Sequence, residues 1–290
     1  MNCYLFKMGG DASKMKRSHR VLITIIGLFS IFVIWFMISY FGIIPSKVLP
    51  NPVDMICSYW GLLTEYNLIG NSLYSIKLNF LSYFYSILIA IPFGFFIALY
   101  PINNILIGRY INSIRYLPIP AMSGIFIAIF GLTFGMKVSF LTFALLIYIL
   151  PAVANKVNDL QNPNNDKDYV YLQTIQTLGA SNWQKFIYVY FPYVTRSISG
   201  EIINLTGISW SYVVICELLY KDGSVSGIGS MINNMMRQSY VAEAYAILFV
   251  VVLIGFGQDA LLKWLDGVLF PSKYNKKPLF KNMFKSNKKG

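Results

Sequence analysis

Charge is the first thing this chain is short of. Only 12% of its 290 residues are charged, whereas 56% are apolar and 17% aromatic, about half the charge usual in a soluble domain. Histidine and cysteine are scarcer still: His19 is the single histidine, and Cys3, Cys57 and Cys216 are isolated and odd in number. No metal site of ordinary ligand spacing can be assembled from them, and Cys216 reads as a small packing residue within a span. A Gly-Xaa-Ser-Xaa-Gly elbow, paired histidines and a phosphate-binding P-loop are also missing, so neither hydrolytic nor nucleotide chemistry has its residues here. An enzyme buried in the membrane would need such a set, and any ATP that is used must be bound by another chain.

What the chain has is long apolar runs. A bilayer core takes about 20 consecutive apolar residues per helix, and residues 21–44 supply such a run without a charged side chain. It is longer and more aromatic than a secretory signal and ends at Pro45 without a small-residue cleavage site, which predicts a retained spanning helix. Further runs at 78–100, 114–134, 138–157, 193–218 and 242–262 bring the expected number of spans to about six. Pro92, Pro118 and Pro120 fall in the second and third of them and predict kinks there. The expected class is an all-α, polytopic membrane bundle. Its expected divisions are a basic tail over 1–20, a first span over 21–44, an extracytoplasmic segment over 45–71, a core domain over 72–264 and a second basic tail over 265–290. No inverted repeat is visible, which disfavours a self-sufficient secondary transporter.

The net charge of +12 has to be placed before it is interpreted. With both termini cytoplasmic, six spans put 19 of the 24 lysines and arginines on the cytoplasmic side and leave Lys47, Lys77, Lys137, Lys221 and Arg237 outside, a strong positive-inside bias. Topology thus accounts for the charge and nucleic acid need not be invoked, while the basic tails suit anionic lipid headgroups.

Between the fourth and fifth runs lies a polar segment, 158–192. Asn162-Pro163-Asn164-Asn165-Asp166 has loop composition, and Leu172, Ile175 and Leu178 then recur every three residues, which predicts a short helix with an apolar stripe. Asp168 is placed to cap its start and Gly179 to close its end in the left-handed conformation. Ser181 and Gln184 have the spacing of a capping box. The segment therefore reads as helix, glycine turn, helix. On these grounds alone it fits an amphipathic helix lying along the membrane surface equally well.

Residues 173–192, QTIQTLGASNWQKFIYVYFP, resemble the EAA-loop signature of binding-protein-dependent importer permeases. Gln173, Thr174 and Ile175 stand at the Glu-Ala-Ala places, Gly179 at the glycine, Val189 and Phe191 at two apolar places and Pro192 at the proline. The family's acidic residue and both alanines are missing. VLPNPVDMI at 48–56, the proline-containing run at 115–140, SGEIINLTGISWSYVVICEL at 199–218, Gly227-Ile228-Gly229 and Asp259 are similar to features of the nitrate, sulfonate and taurine branch. The likeness runs over about 45–270.

The resemblance implies a type I ABC importer permease fold. Its cytoplasmic coupling helix docks on a pair of ABC ATPase subunits, and its outer face receives an extracytoplasmic solute-binding protein. It also implies a second permease copy in a homodimer, a bacterial inner-membrane location, no cofactor on this chain, and ATP and Mg on the partner ATPase. The implied coupling residues are Tyr171, Leu172, Gln173, Thr174, Ile175, Leu178, Gly179 and Ala180. Trp210, Glu217, Gly227 and Gly229 are candidate pathway or gating residues. Glu217 reads as a contact for the binding protein or a partner chain, or as an interfacial anchor. Arg196 and Glu201, five residues apart, are read as a pair or as snorkelling groups.

Overall fold

Two long helices, α3 (Leu68–Leu99) and α6 (Phe134–Gln161), run along each other through the centre of the chain. They are about 48 and 42 Å long at 1.5 Å per residue, more than the roughly 30 Å of bilayer hydrocarbon. Small residues let their backbones approach: Ser82 Oγ donates to the Val138 carbonyl at 3.3 Å and Ser86 Oγ to that of Thr142 at 3.0 Å. Further along, Gly94 lies against Val153, so that a Cβ on Gly94 would stand 2.6 Å from the Val153 Cβ. Hydroxyls and missing side chains, rather than apolar bulk, make close helix pairs in a membrane. Pro92 and Pro151 are taken up within these helices without a break.

In this computed structural model residues 17–219 and 226–274 are described, and no strand occurs among them. The basic clusters expected before residue 17 and after 274, and Lys221, lie outside the described residues. Helix α1 (Arg17–Tyr40) is a third span, and none of its apolar stretch is buried by the rest of the chain. A connector leads from it into α2 (Pro52–Thr64), and Asn51 caps α2 by accepting from the Val53 N–H at 3.0 Å. The last span is α12 (Val241–Leu269), with the short α11 (Ile228–Arg237) before it and a 3-10 turn, Pro271–Tyr274, after it.

The remaining two spans are broken. Between α3 and α6 come α4 (Pro101–Asn103), a π turn (Asn104–Gly108), 3-10 turns (Ile111–Tyr116 and Ile119–Met122) and α5 (Ser123–Phe130), with a bend of 98° between the two halves. Pro118 and Pro120 fall at this bend, as expected for residues that cannot donate to the preceding turn. The second break divides α8 (Asn182–Lys185), the π turn Phe186–Tyr190 and α9 (Phe191–Asn204) from α10 (Thr206–Leu219), at 53°. No proline stands there. The Thr206 and Ser209 hydroxyls bond back to the Ile203 and Thr206 carbonyls, each at 2.8 Å, and such back-bonding bends helices. Four continuous spans plus two bent ones make up to six.

Boundaries moved where polar residues are buried. The second span begins at Leu68 rather than at 78, because Asn71, Ser75 and Asn79 face the bundle interior instead of marking its edge. The third is not one helix over 114–134 but the bent series above. The main apolar core lies between α3, α6, α9 and α10, and a second one, around Met55, Leu62, Ile228, Met231, Met235 and Ile247, joins α2, α11 and the first turns of α12.

Candidate functional site

The polar segment after α6 forms the predicted helix, turn and helix. Helix α7 (Asp166–Thr177) starts two residues before Asp168. Asp168 is therefore not its cap, and its carboxylate accepts from the Asn165 amide at 2.7 Å. The C-terminus closes as expected. Gly179 has φ +71°, its N–H donates to the Gln176 carbonyl at 3.0 Å and that of Ala180 to Ile175 at 3.3 Å, the paired bonds of a Schellman turn. Ser181 and Gln184 then make both bonds of a capping box, Gln184 Oε1 accepting from the Ser181 N–H at 2.8 Å and Ser181 Oγ from the Gln184 N–H at 3.3 Å.

The expected single apolar stripe is split. Leu172 is only 4% exposed, whereas Leu178 is 78% exposed. Steps of three residues fall short of a 3.6-residue turn, so Leu178 is turned about 120° from Leu172. Leu172 thus anchors the helix and does not belong to an outward face. Tyr171, Gln173, Thr174, Leu178 and Gly179 are exposed, and Ile175 and Ala180 are half-buried. The sequence reading missed Trp183. It is exposed beside the turn, and its ring stacks on Phe186 at 5.8 Å, which meets Phe95 of α3 edge-on at 5.1 Å. Below these rings Gln161, Gln176, Lys185 and Tyr190 help to line a cavity of about 660 Å³. An exposed tryptophan just past a capping serine was the available signal.

At the other end of the bundle three of the four predicted gating residues come together. Glu217, in the last turns of α10, is fully buried. Its Oε1 accepts from Ser75 Oγ at 2.6 Å and its Oε2 from the Gly229 N–H at 2.7 Å. Asn71 Oδ1 accepts from the N–H groups of Ser226 and Gly227 at 3.0 and 3.1 Å, and Ser75 Oγ from that of Ile228 at 2.9 Å. Four consecutive N–H groups at the start of α11, unpaired in any helix, are thereby taken up by side chains of α3 and α10, with an anion at the positive end of the dipole. The glycines make room for this. Gly227 has φ +94°, and a Cβ on it would collide with the Glu217 carboxylate; a Cβ on Gly229 would stand 2.6 Å from the Val214 carbonyl oxygen. Burial corrects the reading of Glu217 as a surface contact or interfacial anchor. Lys137, read as an external loop charge, is also fully buried, with its Nζ 3.2 Å from the Tyr74 hydroxyl.

Trp210, the fourth, is elsewhere. Its indole N–H donates to Gln258 Oε1 at 2.8 Å, and Asn79 Nδ2 donates to the same oxygen at 3.1 Å and to Ser209 Oγ at 3.2 Å. All four are buried, so Trp210 ties α10 to α12 and is neither interfacial nor open to a pathway. Arg196 and Glu201 are both exposed, and no ion pair joins them among the described residues. Five residues put them off a common helical face. Glu201 instead borders a polar recess of about 420 Å³ with Arg115, Asn155, Lys156 and Asp159. Asp259 pairs with Lys263 at 2.6 Å on the exposed side of α12. Closer to the end of that helix, Asp266 accepts from Lys273 at 2.9 Å and from the Tyr274 hydroxyl at 2.5 Å, and Lys273 also reaches Ser199 at 2.9 Å, fastening the close of α12 to α9.

A bundle of up to six apolar spans, two of them bent, with a capped helical turn between the fourth and fifth, is the architecture of a multi-pass transport permease. The particular family follows from the comparisons: residues 90–269 match the model of the binding-protein-dependent transport system inner membrane component, and the chain belongs to that family. Over 236 residues it is 23% identical to the putative aliphatic sulfonates transport permease of Bacillus subtilis, covering 81% of this chain and 82% of that one. It is 24% identical over 263 residues to the formylaminopyrimidine transport permease of Halalkalibacterium halodurans, covering 89% and 98%. It is also 24% identical over 200 residues to the carnitine transport permease of Listeria monocytogenes, covering 67% and 83%. A chain from the crystal structure of an amino acid ABC transporter with histidines superposes with a TM-score of 0.53 at 18% identity, over 73% of this chain and 95% of that one, a likeness of fold.

Proposed function

We propose that this chain forms half of the membrane pathway of an ATP-driven importer, that a solute-binding protein delivers a small solute to its outer face, and that α7 and its glycine turn couple it to a separate pair of ABC ATPases. The observation that carries this reading is the turn that closes α7. Tyr171, Gln173, Thr174, Leu178 and Trp183 are exposed together around Gly179, anchored from behind by Leu172. A rigid knob of this kind suits a groove in a partner, and it transmits force only if it binds the two ATPase states with different affinity. ATP and Mg then sit on the partner, with no cofactor on this chain. A second copy completes the pathway, both termini are cytoplasmic, and the membrane is the bacterial inner membrane. The solute is proposed as a small polar molecule, the class shared by the solutes named for the sulfonate, carnitine and formylaminopyrimidine relatives. The test is Leu178→Asp, which puts a charge on the knob without touching the fold behind it. Membrane insertion is expected to persist and co-purification of the ATPase to fall at least about tenfold, the effect of 1.4 kcal/mol; undiminished ATPase recovery would refute the docking role.

A further inference from the structure

Helix α2 is amphipathic in an unusual way. At 3.6 residues per turn its residues divide into three arcs. Pro52, Met55 and Leu62 are buried against α12 and its neighbours, with Tyr59 half-buried beside them and its hydroxyl donating to the Ala246 carbonyl at 3.0 Å. Asp54, Ser58, Gly61 and the C-cap Glu65 make a polar arc about 110° round the helix from these. Between the two lies a second apolar stripe, Val53, Ile56, Trp60 and Leu63, spaced three, four and three residues apart and left uncovered by the chain; Trp60 is 77% exposed.

The depth of this stripe is set by its neighbours. Helix α2 is held between the end of span α1 and the start of span α3, and packs on the first turns of span α12. The connector before it is held to the same level, Trp35 donating to the Pro50 carbonyl at 3.1 Å and Tyr245 to that of Val48 at 2.9 Å. Its exposed residues include the apolar Phe41, Ile43 and Val48 beside the polar Ser46 and Lys47. The connector leads from the stripe to α1, none of whose apolar stretch the chain buries. Protein on one side, water on another and an uncovered apolar stripe between them is the arrangement of a helix lying in the membrane interface, and a tryptophan on such a stripe is the residue favoured at that depth.

We infer that α2 is an interfacial helix, with Val53, Ile56, Trp60 and Leu63 seated among the glycerol and upper acyl groups of the extracytoplasmic leaflet, so that lipid holds the outer cap formed by α2, α11 and the start of α12. Its charges, Asp54 and the C-cap Glu65, are both acidic and lie on the polar arc, so the attachment is apolar and does not depend on anionic headgroups. The inference is independent of ATPase coupling. It is tested with the full chain in phosphatidylcholine nanodiscs, with Cys3 and Cys57 replaced by serine and a nitroxide placed singly at positions 53, 56, 60 and 63, and at 54 and 65 as controls. The first four labels are expected to collide several-fold more often with oxygen than with a water-soluble nickel chelate, and the two controls to show the reverse. Nickel access at 56 and 60 equal to that of the controls would overturn the inference in favour of a water-facing stripe. Loss of collisions with both reagents there would overturn it in favour of a covering protein, a second copy or the binding protein.

Discussion

Glu217 is the residue around which the end of the bundle at α11 is arranged. A fully buried carboxylate that satisfies Gly229 and Ser75 at once costs several kcal/mol to desolvate and repays it only while its partners stay in place. Glu217→Gln keeps the shape but turns an N–H toward one of two donors, and is expected to lower stability by about 1–3 kcal/mol, read as a fall in the detergent melting midpoint of the purified chain. Gly227→Ala places a side chain at φ +94° against that carboxylate and should cost at least as much, about 1–3 kcal/mol from the backbone alone. An unchanged midpoint in both variants would mean that the cluster is not under load. The sequence marked Glu217 and the two glycines as exceptional, since charges in spans are rare, yet it could not assemble them. The partner that defines Glu217, Ser75, lies 142 positions away, in what reads as the polar edge of a span. Lys137 was misplaced for the same reason.

At the scale of the element, local signals were legible wherever the backbone closes its own hydrogen bonds. The Gly179 turn and the Ser181–Gln184 box are settled within six residues, and their geometry is as the sequence predicts. Gly179→Val forces a branched side chain to φ +71° and is expected to weaken ATPase association while insertion and span packing persist; normal association would remove the turn from the coupling path. Gln173→Glu restores the acidic residue that the family signature carries, and unchanged ATPase coupling in that variant would show the charge to be dispensable here. What periodicity could not supply is which face of α7 looks inward, because a spacing of three drifts across the helix and leaves Leu172 and Leu178 on different sides. Helix pairing was equally hidden. The contact of α3 with α6 depends on Ser82, Ser86 and Gly94, residues without an apolar signature. Gly94→Ala should push the pair apart and lower stability by about 1–3 kcal/mol, again as a fall in melting midpoint.

For the whole molecule, composition alone carried the class, since no other solvent than lipid suits a chain so short of charge, and the family model and relatives agree with it. The single chain is visibly incomplete as a membrane object. The third span is irregular backbone ending in α5, eight residues, six of them apolar and none buried, and such backbone at membrane depth is stable only against protein or a water-filled path. The second copy proposed for the pathway would supply both on that side.

The most direct test of the importer account is affinity purification of the tagged chain from membranes in mild detergent, with identification of the associated subunits and an ATPase assay of the complex. The account predicts recovery of an ABC ATPase with measurable ATP hydrolysis that is lost with Leu178→Asp. A stable complex that contains no ATPase would contradict it and return the chain to the transporters that work without one.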